Sequence, residues 1–101
     1  MLILKILALE PMHGWGISER MQQLSRDVFQ VNQGSVYPAL QRLRRKGLIT
    51  ADWRRSENNR RARYYALTPS GVAQLEREVQ AWDRAAGAVE RILRAASAPG
   101  R

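Results

Sequence analysis

Cysteine is absent from the 101 residues, and histidine occurs once. The first absence excludes disulfides, zinc–thiolate centres and a thiol nucleophile. The lone His13 has no serine or acidic residue beside it, so metal binding and triad catalysis both lack support. It reads as a brace for the turn before the second helix, and no catalytic residue, metal or cofactor is expected. Long apolar runs are missing too. The most apolar stretch, MLILKILALEPM, is broken at Lys5, leads to no small-residue cleavage site and is far too short to cross a bilayer. It reads as the buried first helix, Leu2–Leu9, of a cytoplasmic protein with no membrane partner. That helix should stop at Glu10-Pro11, because proline disfavours helical geometry in the residue before it.

Acidic side chains are the third scarcity: 9 Asp+Glu stand against 17 Lys+Arg, a formal charge of +8. The excess is local. Between Arg42 and Arg63 lie nine basic residues (Arg42, Arg44, Arg45, Lys46, Arg54, Arg55, Arg60, Arg61, Arg63) against Asp52 and Glu57, a net +7 that leaves the rest near neutral. A surface charged only for solubility would spread these residues out; clustering points to a polyanionic partner. The chain has one domain's worth of residues, with a modest core that a partner's surface would augment.

What is present is a series of periodic segments. After a turn at His13-Gly14-Trp15-Gly16, Ile17, Met21 and Leu24 mark one face of a helix over about residues 15–25. NQGSVYPALQRLRRKGLI, residues 32–49, supplies a third helix. Steps of 100° put Val36, Leu40 and Leu43 on its core side and Gly34, Pro38, Gln41 and Arg45 opposite, flanked by Ser35, Tyr37 and Arg42. With Asn32 as the cap, Pro38 lies beyond the first turn; with Ser35 as the cap, it falls within the first turn, where its missing N–H is harmless. The residues admit both. Gly47 closes the helix. Residues 48–54 and Arg61–Leu67 then alternate with a period of two around a polar segment, 55–60, as a hairpin with a basic tip requires. Thr68-Pro69 is a helix start, and Val72, Leu75, Val79, Trp82, Ala86, Val89, Leu93 and Ala96 follow at alternating spacings of three and four, a heptad seam. Small residues from Ala85 to Ala88 would let another helix approach closely.

The expected fold is mainly α with a two-stranded β-hairpin wing: a winged helix-turn-helix over residues 1–67, a C-terminal dimerisation helix over residues 68–97 and a disordered tail at 98–101. In that arrangement the front of the third helix enters the major groove of double-stranded DNA. Gly34 and Pro38 allow close approach, Gln33, Ser35, Tyr37 and Gln41 hydrogen-bond, and Arg42 and Arg45 grip the flanking backbone. Arg60, Arg61 and Arg63 on the wing reach phosphates or a minor groove. The seam from Val72 to Leu93 pairs two copies as a homodimer. Trp15, Trp53 and Trp82 are candidates to line a pocket for a small aromatic ligand, Trp82 foremost because it lies on the seam and Trp15 next; ordinary core and interface packing is the alternative. An acidic protein partner or structured RNA would also suit the charge, but neither needs the bare Gly34/Pro38 face.

HGWGISERMQ, NQGSVYPALQRLRRKGLI, RRARYYALTPSG and the terminal helix together resemble the PadR family of bacterial transcriptional regulators, over roughly residues 2–90. The most specific pieces are GSVYPALQRLRRKGLI and RYYALTPSG. The resemblance implies a homodimer held by its C-terminal helix, usually a repressor of promoters and often released by small aromatic compounds. It matches Ser35 and Tyr37 to the recognition-helix motif and the arginines near Arg60 to the basic wing, and it suits the subgroup with a single C-terminal helix. Two departures are the short lead into the first helix and Gln33, where proline is common in relatives.

Overall fold

The structure, a computed structural model, describes residues 1–96; residue 97 of the expected terminal helix and the tail at 98–101 lie outside them. The order is α1 (Leu2–Leu9), β1 (Met12–His13), α2 (Gly14–Leu24), α3 (Gln33–Arg45), β2 (Ile49–Arg55), β3 (Arg61–Leu67) and α4 (Pro69–Arg94). The core gathers one or more apolar side chains from each element, with Leu4, Ile17, Val36, Leu40 and Ile49 the most completely buried.

The expected two-stranded wing is part of a three-stranded antiparallel sheet of order β1-β3-β2. Glu10 is extended, as a residue before proline prefers, and that direction carries Met12 and His13 alongside β3, opposite Tyr65 and Tyr64. The pairing covers one edge of β3 and buries Met12. The turn expected at residues 13–16 is therefore a strand followed directly by a helix. His13 caps α2, its Nδ1 accepting the Gly16 N–H at 2.9 Å, so the helix starts at Gly14 and ends at Leu24.

Asn32 is the cap of α3: its side-chain oxygen accepts the Ser35 N–H at 3.0 Å. Pro38 accordingly sits inside the helix, and the Gly34 carbonyl lacks the donor that a residue other than proline would offer. Both positions are exposed, where water can satisfy that oxygen. The far end closes on Gly47 at φ 73°, with Gly47 N–H donating to Arg44 O and Leu48 N–H to Leu43 O, the paired bonds of a glycine-terminated helix.

Thr68 then joins three elements. Its N–H donates to Leu48 O at 3.1 Å, its hydroxyl donates to Gly47 O at 2.7 Å, and the same hydroxyl oxygen accepts the Gly71 N–H at 3.0 Å, capping α4. Gly71 packs so tightly here that a methyl in its place would overlap the Leu48 carbonyl oxygen. Farther along, Glu78 bonds Gln74 and the N-terminal ammonium. Burial works to raise its pKa, but those hydrogen bonds and the positive charges of the ammonium and Lys46 outweigh it and hold the carboxyl below its ordinary value.

One expected dimer contact is corrected. Leu75 is only 9% exposed and belongs to the core of its own chain, so it is not available to a second copy. The seam spacing continues past it, but from Val79 to Arg94 no residue is buried, and the helix ends at Arg94, short of Ala96. The molecule measures 68 × 29 × 21 Å, drawn out along one axis. Among the described residues no helix is long and apolar enough to cross a membrane.

Gly71→Ala is expected to lower stability by about 1–3 kcal/mol, the usual cost of overpacking, because backbone and not a flexible side chain must move. Denaturant unfolding measures it; wild-type stability would mean that the junction relaxes freely.

Candidate nucleic-acid interface

The outward face of α3 is built as its periodicity requires. Val36 and Leu40 are buried, while Gly34, Ser35, Tyr37, Pro38, Gln41, Arg42 and Arg45 are exposed. Tyr37 is 48% exposed, and its ring rests over Gly14 at the start of α2, where an added methyl would lie 3.1–3.2 Å from ring atoms. A side chain larger than hydrogen at Gly14 would therefore push the ring outward. Gln41 shares a shallow depression with Arg44 and Arg45. Arg42 lies apart from them, in a groove with Met1, Leu2 and Ile3.

The wing is fixed by a tight turn. Ser56 N–H donates to Arg60 O at 2.8 Å, Asn59 takes φ 58°, and Arg55 donates to the Asn59 side-chain oxygen at 2.8 Å. The register sets Trp53 opposite Arg63 and Arg55 opposite Arg61. Trp53 is 57% exposed, and the guanidinium carbons of Arg61 and Arg63 stand 5.2 and 5.7 Å from its ring centre. On the other face Arg54 stands 5.5 Å from the ring centre of Tyr64. A ring so open to solvent is not packed in the core of its own chain.

A cleft of about 490 Å³ joins helix and wing: Tyr37 lines it together with Trp53, Arg60, Arg61 and Arg63, with His13 and Trp15, and with Glu57 as its one acidic side chain. Within it are brought together four of the expected DNA-binding residues. The electrostatics are one-sided. The ion pairs of the described residues are Met1–Glu78, Arg20–Glu10 and Arg94–Glu90, and His13 lies 3.9 Å from Glu57. None of the nine basic residues between Arg42 and Arg63 thus has a carboxylate within 4.0 Å.

Three residues at the site lie outside the set expected to contact DNA. Arg44 joins Gln41 and Arg45, and its spacing of three from Gln41 was the available signal. Trp53 follows from the hairpin register once the turn length is known. His13 meets the wing tip, Nε2 lying 3.9 Å from a Glu57 oxygen, a contact no sequence proximity announces. Of the three tryptophans named for a ligand, Trp15 and Trp53 line one cleft, and Trp82 is not brought to them within the chain. Trp15 lines clefts beside β1 and the wing, and Trp82, 59% exposed on α4, lines neither.

Comparisons with known proteins bear on this geometry. The sequence model of the transcriptional regulator PadR-like family matches residues 3–77. An uncharacterised 37.1 kDa protein of a Streptomyces fradiae transposon is 39% identical over 89 residues, covering 88% of this chain and 24% of that protein. A transcriptional regulator of Mycobacterium tuberculosis is 37% identical over 65 residues, 64% of this chain and 60% of the relative. The chain thus spans about a quarter of the first of these relatives and under two thirds of the second. Among solved structures, a PadR-like transcriptional regulator from Bacillus cereus superposes with a TM-score of 0.82 at 29% identity, covering 93% of this chain and 89% of that one. A PadR family transcription regulator from Clostridium difficile gives 0.78 at 31% identity, over 91% and 94%.

Gln33 departs from its expected place. Its amide nitrogen donates to Ser18 Oγ at 3.2 Å, while its buried Oε1 has no hydrogen-bond partner among the described residues. The side chain is thereby directed toward α2 and away from the exposed face of α3. Because an unsatisfied buried acceptor carries a desolvation cost, Gln33→Leu is expected to change stability by less than about 1 kcal/mol. Thermal unfolding tests this; a loss well beyond that would show the Ser18 bond to be essential.

Proposed function

The chain belongs to the PadR-like family of transcriptional regulators, and from that premise we propose that it is a homodimeric, sequence-specific DNA-binding repressor acting in the cytoplasm. The observation that carries the reading is the cleft in which Tyr37 of α3 meets Arg60, Arg61 and Arg63 of the wing, with Glu57 the one acidic side chain lining it and no carboxylate of the described residues within 4.0 Å of those arginines. The bare Gly34/Pro38 surface enters the major groove, Ser35, Tyr37 and Gln41 meet base edges or phosphates, and Arg44 and Arg45 hold the flanking backbone. Arg42 grips phosphate farther toward α1. The wing arginines take the adjacent backbone or minor groove, where negative potential is concentrated. Gln33 supports the start of α3 and leaves the contact set.

Dimerisation uses the part of α4 that its own chain leaves uncovered. Val79, Trp82, Ala86, Val89 and Leu93 form the seam, with Val72 at its near edge and Leu75 withdrawn into the core. Two Trp82 rings facing one another across that seam would leave room for a flat aromatic effector between them, and its binding would alter the separation of the two DNA-reading helices.

Selection from a random duplex library at near-physiological salt is expected to recover an inverted repeat; enrichment without a motif would overturn the sequence-specific reading. On the recovered duplex, Arg61→Ala should weaken binding and reduce the slope of log affinity against log salt by about 1, and Tyr37→Phe should weaken binding without changing the slope. Wild-type affinity in both folded variants would remove these residues from the interface. Trp82→Glu with Val89→Glu should sediment as a monomer, and a persistent dimer would locate the interface elsewhere.

A further inference from the structure

We propose that Trp53 is a positioning residue that holds Arg61 and Arg63 ready for the DNA backbone without neutralising them. The inference rests on the DNA-binding reading and adds a residue to it that makes no direct contact of its own. The antiparallel register puts Trp53, Arg61 and Arg63 on one face of the hairpin, and both guanidinium carbons lie within 6 Å of the ring centre. That is the distance range over which the ring's quadrupole attracts a cation.

The ring's place along the strand argues against a core role. On this face of β2, Ile49 is buried, Ala51 half-buried and Trp53 largely exposed, so the strand has left the core by the time it reaches the tryptophan. A large apolar side chain in that position needs another reason to be there. Its neighbours supply one. Two guanidinium groups gathered on one ring repel each other, and a protein commonly relieves such repulsion with a carboxylate. Here none lies within 4.0 Å among the described residues. A carboxylate would fix the geometry but cancel the charge that a phosphate needs; an aromatic face fixes the geometry and leaves the charge intact.

The hydrogen-bonding state agrees. Among the described residues, Arg63 Nε is buried without an acceptor and no side-chain hydrogen bond engages Arg61. Orienting a long side chain only when a partner arrives costs rotamer entropy at that moment, and a ring that limits the rotamers beforehand reduces that cost. The opposite face repeats the arrangement with Arg54 on Tyr64. Because Trp53 lines the same cleft as Tyr37, the arginines it holds border the front of α3.

Fluorescence anisotropy with a labelled duplex recovered by selection tests this in wild type, Trp53→Phe, Trp53→Ala, the pair Arg61→Ala/Arg63→Ala and the triple variant. Trp53→Ala is expected to weaken binding about five- to tenfold with the salt slope unchanged, as the rotamer entropy of two arginine side chains left to be ordered on binding implies. Trp53→Phe, which keeps a ring, should recover most of the affinity. In the background lacking both arginines, Trp53→Ala should have no further effect. An equal loss with and without the arginines would overturn the inference in favour of direct contact or a structural role, and wild-type affinity in Trp53→Ala would overturn it outright. Wild-type protein that binds no duplex at low salt would instead remove the DNA reading. Side-chain NMR separates the two failures: ring-current shifts of the Arg61 and Arg63 resonances should be present in the free protein and vanish in Trp53→Ala, and their absence from the wild type overturns the positioning role whatever the DNA result.

Discussion

The hydroxyl of Thr68 ties three elements of the molecule at one joint. It donates to the carbonyl of Gly47, just past the end of α3, and accepts from the amide of Gly71, in the first turn of α4. The end of one helix, the beginning of another and the base of the hairpin thereby meet on backbone atoms. Side chains can change rotamer to relieve strain, but these carbonyls and amides cannot move without carrying their elements with them. Both glycines serve the joint, Gly47 by taking a positive φ that lets the chain leave α3 and Gly71 by letting α4 lie against Leu48. The joint thereby fixes the orientation of α4 relative to α3.

A second constraint is how so small a body carries so much unneutralised charge. Arg42, Arg44 and Arg45 fall in the last turn of α3, where the negative end of the helix dipole favours cations. Arg54, Arg61 and Arg63 lie over aromatic rings, and Arg55 is tied to Asn59. Each device tolerates a positive charge without removing it. The fold therefore keeps its surface potential available at the cleft and relies on dipoles and rings where another protein would use ion pairs.

Much of this was legible in residue order, and the misses have physical causes. Proline after threonine gave the start of α4, and period-two alternation gave β3, because both signals are local. The strand β1 was hidden because two residues cannot display a period; only its pairing with β3 makes it a strand. Leu75 was assigned to a second copy because spacings of three and four look the same whether the facing surface belongs to the same chain or another. The exposed half of α4 distinguishes them only once burial is known. Gln33 lies at the edge of the outward face, and a hydrogen bond fifteen residues away in sequence decided its direction. Alternation correctly gave Trp53 the same face as Ile49 but carried no information on where along the strand that face leaves the core.

The length of α4 gives the Thr68 joint a mechanical meaning. Its 26 residues span about 39 Å at 1.5 Å per residue, and no residue of its far half is buried. A helix of that length clamped at one end is a lever: a 10° swing about the clamp moves the tip by roughly 7 Å on the same rise per residue. Run in reverse, the ratio means that a displacement of several ångströms at the tip arrives at α3 as a small, well-defined rotation, with no slack linker between them to absorb it.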